Sequence, residues 1–295
     1  MKAKISHFLL LLWSTVPVAV RRLMANRRMA AGMLLGITVA VAAASSVPVF
    51  TDGALQRVLQ IDLTKVDRKL PAAVHLAYFT DDKHPVTVAQ YQAADRIARQ
   101  DGPKLIGLPL NPFVRFGSLD VTDAVPVDPL KVNPDTDRWI NLGFQTDLEK
   151  HIKLIDGRLP KDGKAGDTYE ALVEDVFLEK QDITVGCQLW VPVNRDKDAP
   201  KVKVTIVGAF RRANPDEPYW YLGSAFEKVI FLTEPTFVNT LLAEDGVRPG
   251  QFSWYYGIAN NSVRVDDVPR LLNGLDQLEA RAGQALPGTK LFDGP

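Results

Sequence analysis

Four histidines and one cysteine are the side chains from which this sequence could most readily build a reactive centre. His7, His75, His84 and His151 show no metal-ligand spacing. There is no H-E-x-x-H, which would set two imidazoles and a base on one helix face, and no G-x-S-x-G turn to raise a nucleophilic serine. The stretch 157–166, GRLPKDGKAG, has phosphate-loop glycines at the wrong spacing, and Ala165 stands where a Ser or Thr is required, so it reads as a surface turn. Asp81–Asp82 fits a solvated turn, and Asp266–Asp267 fits a helix start, where the helix dipole favours acids. Asn260-Asn261-Ser262 is a glycosylation sequon. Cys187 has no partner for an internal disulfide, and its β-rich surroundings predict a buried, inert thiol. The expectation is a chain with no catalytic residue, no cofactor-binding residue and no metal ligand of its own.

One loop could still do recognition. In 211–223, RRANPDEPYWYLG, three aromatics follow one another in a Pro-containing connection. Tyr219, Trp220 and Tyr221 form the candidate partner contact, because Trp and Tyr are enriched at binding hot spots. The alternative is that they fold back onto their own domain.

The elements that must hold these residues are organised by charge. Lys2, Lys4, Arg21, Arg22, Arg27 and Arg28 are the only formal charges in residues 1–51, leaving 29 of the 35 basic side chains and all 35 acids to the remainder. The net charge of zero is therefore a head of +6 on a body of −6. A nucleic-acid binder would carry its basic patch in the folded domain, so nucleic acid is not an expected partner. Residues 29–50 are uncharged and, as a helix at about 1.5 Å per residue, span roughly 33 Å, enough for the hydrocarbon core. Arg21, Arg22, Arg27 and Arg28 before that run predict a cytoplasmic amino end, with residues 51–295 extracytoplasmic in a cell membrane. A cleaved signal peptide would need a leader far longer than the usual 15–30 residues or so. Gly32 and Gly36 form a G-x-x-x-G pair suited to close helix packing.

Residues 5–20, ISHFLLLLWSTVPVAV, are too short to cross and contain Pro17, and they read as a helix along the cytoplasmic membrane surface. After the span, Leu55, Leu59, Leu63, Val66 and Leu70 keep helical spacing, so the helix is expected to continue as a stalk towards Pro71. Strands follow at 73–80, 114–121 and 140–145. A helix is expected at 86–99 and loops at 101–112 and 125–138. From Leu154 the composition turns β-rich. Strands are expected at 169–173, 188–193, 202–210 and 228–232, with a short helix from Asp175. A further helix over 234–243 is capped by Thr233, with Pro235 just inside. A strand at 252–259 precedes an amphipathic helix through Val268, Leu271, Leu272, Leu275, Leu278 and Ala282, for which Gly283 is the expected stop.

In this order of parts the sequence resembles the ABC-transporter permeases of the MacB/FtsX type. The matching residues are the basic lead 21–28, the stalk, and the segments LIDGRLPKDG, YEALVEDVFLEK, ITVGCQLWVPV and VKVTIVGAF within 154–242. The resemblance implies an α+β architecture: a cytoplasmic or membrane-surface segment (1–28), one transmembrane helix (29–50) and a stalk helix (51–72). Beyond these it implies an extracytoplasmic α/β base domain (73–152 and 244–295) interrupted by a smaller inserted lobe (153–243). It also implies a separate ABC ATPase subunit that binds and hydrolyses ATP. Other permease helices, or a second permease, would complete the membrane bundle, because the family's three C-terminal membrane helices have no counterpart here. The chain is then the front part of a longer permease, or its missing helices lie on another chain. The same topology also fits a single-pass sensor or ligand-binding protein, although 28 cytoplasmic residues cannot hold a signalling domain.

Overall fold

The computed structural model describes residues 27–64, 72–80, 86–128, 138–259 and 262–292. Arg21, Arg22, His7, His84, Asp81, Asp82, Asn260, Asn261, Val66, Leu70 and the proposed surface helix at 5–20 lie outside the described residues. The chain divides into two units, Met1–Leu59 and Gln60–Pro295.

Helix α1, Arg27–Thr64, is one element through both the run read as a crossing and the start of the segment read as a stalk. Arg27 and Arg28 open it. Over 31–45 all its side chains are exposed, Met33, Leu34, Leu35, Ile37, Val39 and Val41 among them. Gly32 and Gly36 lie in this stretch with open space where a Cβ would stand. Among the described residues no helix is long and apolar enough to cross a membrane.

The second unit has a mixed α+β fold around one large sheet. Its elements in chain order begin with β1 (Ala73–Phe79), α2 (Val88–Gln100), α3 (Gly102–Ile106), β2 (Leu110–Leu119), β3 (Thr122–Asp123), β4 (Val125–Pro126), β5 (Trp139–Gln145), β6 (Ile152–Gly157) and β7 (Tyr169–Glu174). They continue with α4 (Asp175–Gln181), β8 (Gln188–Pro192), β9 (Lys201–Arg212), β10 (Val229–Phe231), β11 (Pro249–Ile258), α5 (Val268–Ala285) and β12 (Thr289–Phe292). The strand order is β12-β1-β11-β2-β5-β10-β7-β9-β8-β4, with β3 on β5 and β6 on β9. Most pairs are antiparallel; β5 with β10 and β7 with β9 are parallel. The strands read as base and those read as inserted lobe thus lie side by side in one sheet, meeting where β5 pairs β10.

Local sequence explains the elements that position the rest. β1 is AVHLAYF, with five consecutive buried residues; a strand covered on both faces loses the polar alternation of a half-exposed one. α2 begins with a reciprocal capping box, in which Gln90 N–H donates to Thr87 Oγ1 (3.2 Å) and Thr87 N–H to Gln90 Oε1 (2.9 Å). Its buried Tyr91, Ala94 and Ala98 lie on the face towards the sheet. α5 buries Gly274, Leu278 and Ala282 against α2 and α3. A Cβ on Gly274 would stand 2.0 Å from the Leu105 carbonyl oxygen, so only glycine permits that approach.

Four expectations are corrected. The connection expected as loop at 101–112 holds α3 and the start of β2. Gly283 lies inside α5, which runs on to Ala285, because backbone bonding there outweighs the modest helix penalty of one glycine. The segment before the turn at 157–166, where no strand is expected, is strand β6, paired antiparallel with β9; Gly157, at φ +73°, lets its backbone close onto Val207 and Gly208. The loop at 125–138 contributes β4, which extends the sheet beyond β8. The helix expected at 234–243 forms with wide π-helical turns over Thr236–Thr240 and a tighter 3-10 turn over Leu241–Ala243. The Thr233 hydroxyl accepts from Thr236 N–H (3.3 Å), as the cap requires. The GRLPKDGKAG turn is tied to this helix: Thr233 Oγ1 donates to Asp162 (2.6 Å), Gly163 N–H to Thr236 Oγ1 (2.9 Å) and Thr240 Oγ1 to Gly163 O (3.2 Å).

Candidate functional site

The residues singled out for recognition are buried at the middle of the sheet. Tyr219, Trp220 and Tyr221 are 2%, 3% and 2% exposed. Their partners come from both strand groups: Val114 and Phe116 of β2 and Tyr255 of β11 on one side, Leu172 of β7, Phe210 of β9 and Phe231 of β10 on the other. The reading of these three aromatics as a partner-facing surface is therefore corrected. Apolar strand faces on either side of the β5–β10 joint need cover, and three large rings on one loop supply it.

Each ring is held in place by polar contacts. Arg212, at the end of β9, donates to both Glu174 oxygens (2.8 and 2.9 Å) and to Gly223 O (3.1 Å). Its guanidinium lies 5.0 Å from the Trp220 ring centre and 6.0 Å from that of Phe226. The Tyr219 hydroxyl donates to Thr146 O (2.7 Å), its own carbonyl accepts from Gln145 Nε2 (3.0 Å), and its ring stacks on His151 at 3.7 Å. Glu217 lies 3.0 Å from His151 Nδ1. Burial raises the Tyr219 and Tyr221 phenols well above their usual range and holds both neutral.

Behind Tyr221 the described residues form a geometry that resembles catalytic machinery. His75 Nε2 is 2.6 Å from Ser253 Oγ, which is 2.7 Å from the Tyr221 hydroxyl. A base within hydrogen-bond reach of a serine hydroxyl is the first requirement of a nucleophilic pair. Access is the second, and Ser253 is buried, with His75 packed against the rings of Tyr221 and Phe292. Burial lowers the His75 pKa from 6.5 to about 4, so the imidazole is neutral near pH 7. The triplet closes the polar groups of a buried layer and admits no substrate. His75 and Ser253 lie 178 positions apart, and nothing local in the sequence signals their meeting.

A second polar cluster joins α2, β2, β11 and the helix at Thr233. Arg115 donates to both oxygens of Glu234 (2.5 and 3.0 Å) and of Asp95 (3.3 Å each), and Trp254 Nε1–H donates to Asp95 (3.0 Å). Burial alone would lower the Arg115 pKa, but Asp95, Tyr91 and Glu234 around it hold the guanidinium above its ordinary value.

Beside this cluster, at the carboxyl ends of the parallel β5 and β10, is a cavity of about 290 Å3. Its walls are Leu148, Leu159, Leu172 and Phe231, and its acids are Asp147, Glu149 and Glu234. Asp147 is paired with Lys150, and Glu234 with Arg115, so two of the three carboxylates are already neutralised. A larger cavity of about 400 Å3 is lined by Val127, Asp128 and the loop 183–188. Cys187 sits in its wall half-buried, less enclosed than its β-rich surroundings predict, because the turn at Gly186 leaves it at a surface. Among the described residues no cluster of His, Cys, Asp and Glu could hold a metal ion.

No family model matches this chain, and no curated protein matches it. Among solved structures, it is similar to a domain of a candidate permease protein from Porphyromonas gingivalis, at a TM-score of 0.36 and 12% identity, over 76% of this chain and 90% of that one. A likeness at that score carries no argument about what the chain does.

Proposed function

We propose that this chain is the membrane-anchored permease subunit, or the N-terminal part of one, of an ABC transporter of the MacB/FtsX type. In this reading Arg21, Arg22, Arg27 and Arg28 keep the amino end in the cytoplasm, α1 enters the bilayer, and the sheet unit stands outside. ATP is bound and hydrolysed on a partner ATPase, and its movement reaches the outer unit through the membrane helices, for export or for mechanotransmission.

The observation that carries the reading is the character of α1. Over 31–45 it is uncharged and exposes apolar side chains on every face. A helix apolar all round is at rest in lipid or inside a bundle and not in water. The two hydroxyls within 31–45 are closed onto their own backbone, Thr38 Oγ1 donating to Leu34 O (2.8 Å) and Ser45 Oγ to Ala42 O (3.1 Å), as an environment without water demands. The open space at Gly32 and Gly36 suits a second helix packed closely there.

The test is fractionation, topology and capture of the full chain. The protein should resist alkaline carbonate extraction from membranes, a reporter joined after Pro295 should be active only outside the cytoplasm, and affinity purification should bring a nucleotide-binding ATPase. Extraction by carbonate, or a reporter active in the cytosol, overturns the proposal. Firm membrane insertion without any ATPase points instead to the single-pass sensor or ligand-binding protein.

A further inference from the structure

The cavity of about 290 Å3 at the carboxyl ends of β5 and β10 combines three features that point to one kind of ligand. The first is an apolar wall. Leu148, Leu172 and Phe231 are buried, and Leu159, 46% exposed, carries the wall out to solvent. In open α/β sheets the carboxyl ends of parallel strands are where ligands enter.

The second feature is charge. Three acids line the cavity, Asp147, Glu149 and Glu234, and none of the lining residues is basic. Lys150 and Arg115 reach Asp147 and Glu234 from outside it. Among the described residues Glu149 forms no ion pair, so the cavity keeps a net negative charge. A cation compensates that charge, whereas an anion adds to it.

The third feature is an open acceptor. Gln145, at the end of β5 and 5% exposed, lines the same cavity. Its Nε2 donates to Tyr219 O (3.0 Å), while its Oε1 has no hydrogen-bond partner among the described residues. Buried acceptors are nearly always paired, so this one calls for an N–H or O–H from elsewhere.

We propose that this cavity binds a small primary organic amine. Its ammonium lies among the carboxylates and donates to Gln145 Oε1, and its apolar body packs on Leu148, Leu159, Leu172 and Phe231. The volume is at the small end of ligand pockets, which run from about 300 Å3 upward, and suits one ring or a short alkyl chain. The proposal rests on the cavity alone and is independent of the transport reading.

The test is calorimetric titration of 2-phenylethylamine into the full chain in detergent, corrected against protein-free micelles. Binding should be saturable. Its trimethylammonium form keeps the charge but has no N–H, and 2-phenylethanol keeps a donor without the charge; each should bind at least about tenfold more weakly. Glu149→Gln should weaken binding of the amine about tenfold, and Leu159→Lys, which adds a positive charge at an exposed position of the wall, by at least as much. Cys187→Ser, in the wall of the other cavity, should change nothing. No saturable heat up to about 10 mM, equal affinity for the three compounds, indifference to both Glu149→Gln and Leu159→Lys, or equal weakening by Cys187→Ser would each overturn the proposal.

Discussion

The guanidinium of Arg212 lies over the Trp220 ring, 5.0 Å from its centre, while its Nε and Nη2 donate to Glu174 and Nη2 also to Gly223 O. One side chain thereby fastens the aromatic loop to β9 and neutralises a carboxylate at the end of β7. Arg212→Ala leaves Glu174 buried without its partner, and should lower the unfolding free energy by about 3–5 kcal/mol. Arg212→Lys keeps the charge but not the planar fork, and should fall between the two. Urea denaturation of the sheet unit within the full chain measures both. A loss below about 1 kcal/mol, typical of an exposed pair, would mean the contact is not buried in solution.

Trp220 should behave as core and not as a contact surface. Trp220→Ala should cost about 3–5 kcal/mol. Trp220→Phe should cost far less, since its indole Nε1 has no hydrogen-bond partner among the described residues and the ring packing against Phe210 and Phe226 is kept. Equal and small losses from both substitutions would return the ring to the surface.

His75 should make stability fall in mild acid. Its pKa is about 4 in the folded chain against 6.5 for the free side chain, because burial disfavours the imidazolium. As pH falls the unfolded chain takes the proton first. The contribution is therefore whole above pH 6.5 and lost as pH drops through 6.5 towards 4. A shift of that size corresponds to about 3 kcal/mol. Unfolding curves at pH 7, 5.5 and 4 for the parent and for His75→Gln should converge as pH falls. Parallel curves would contradict the burial of the ring.

Arg115 and Glu234 should be coupled, by about 1–3 kcal/mol in a double-mutant cycle. The single variants should differ. Glu234→Gln leaves Arg115 its bonds to Asp95, whereas Arg115→Gln strands both carboxylates and should be the costlier change. A coupling near zero would show that the two side chains do not meet.

Several parts of this architecture were legible in the residues alone. The strands at β1, β5, β7 and β9, the capped start of the helix at Thr233 and the amphipathic α5 each follow from patterns within a dozen residues, where pleat and helix period act directly on neighbouring side chains. β6 was not legible, because Gly157 and Arg158 carry a turn signal and the strand forms only by lying against β9. Nor was the place of Tyr219-Trp220-Tyr221, since a loop rich in aromatics reads alike whether it faces solvent or fills a gap between strands.

The sequence by itself determined the uncharged helix with its basic lead, the strands that would pair, and the scarcity of spacings that do chemistry, since all of these depend on residues close together along the chain. Only the tertiary structure decided that the two strand groups share one sheet, that the aromatic loop seals their joint, and that His75 meets Ser253. Those outcomes depend on which distant strands become neighbours, a choice made by burial summed over the whole sheet that no short stretch encodes.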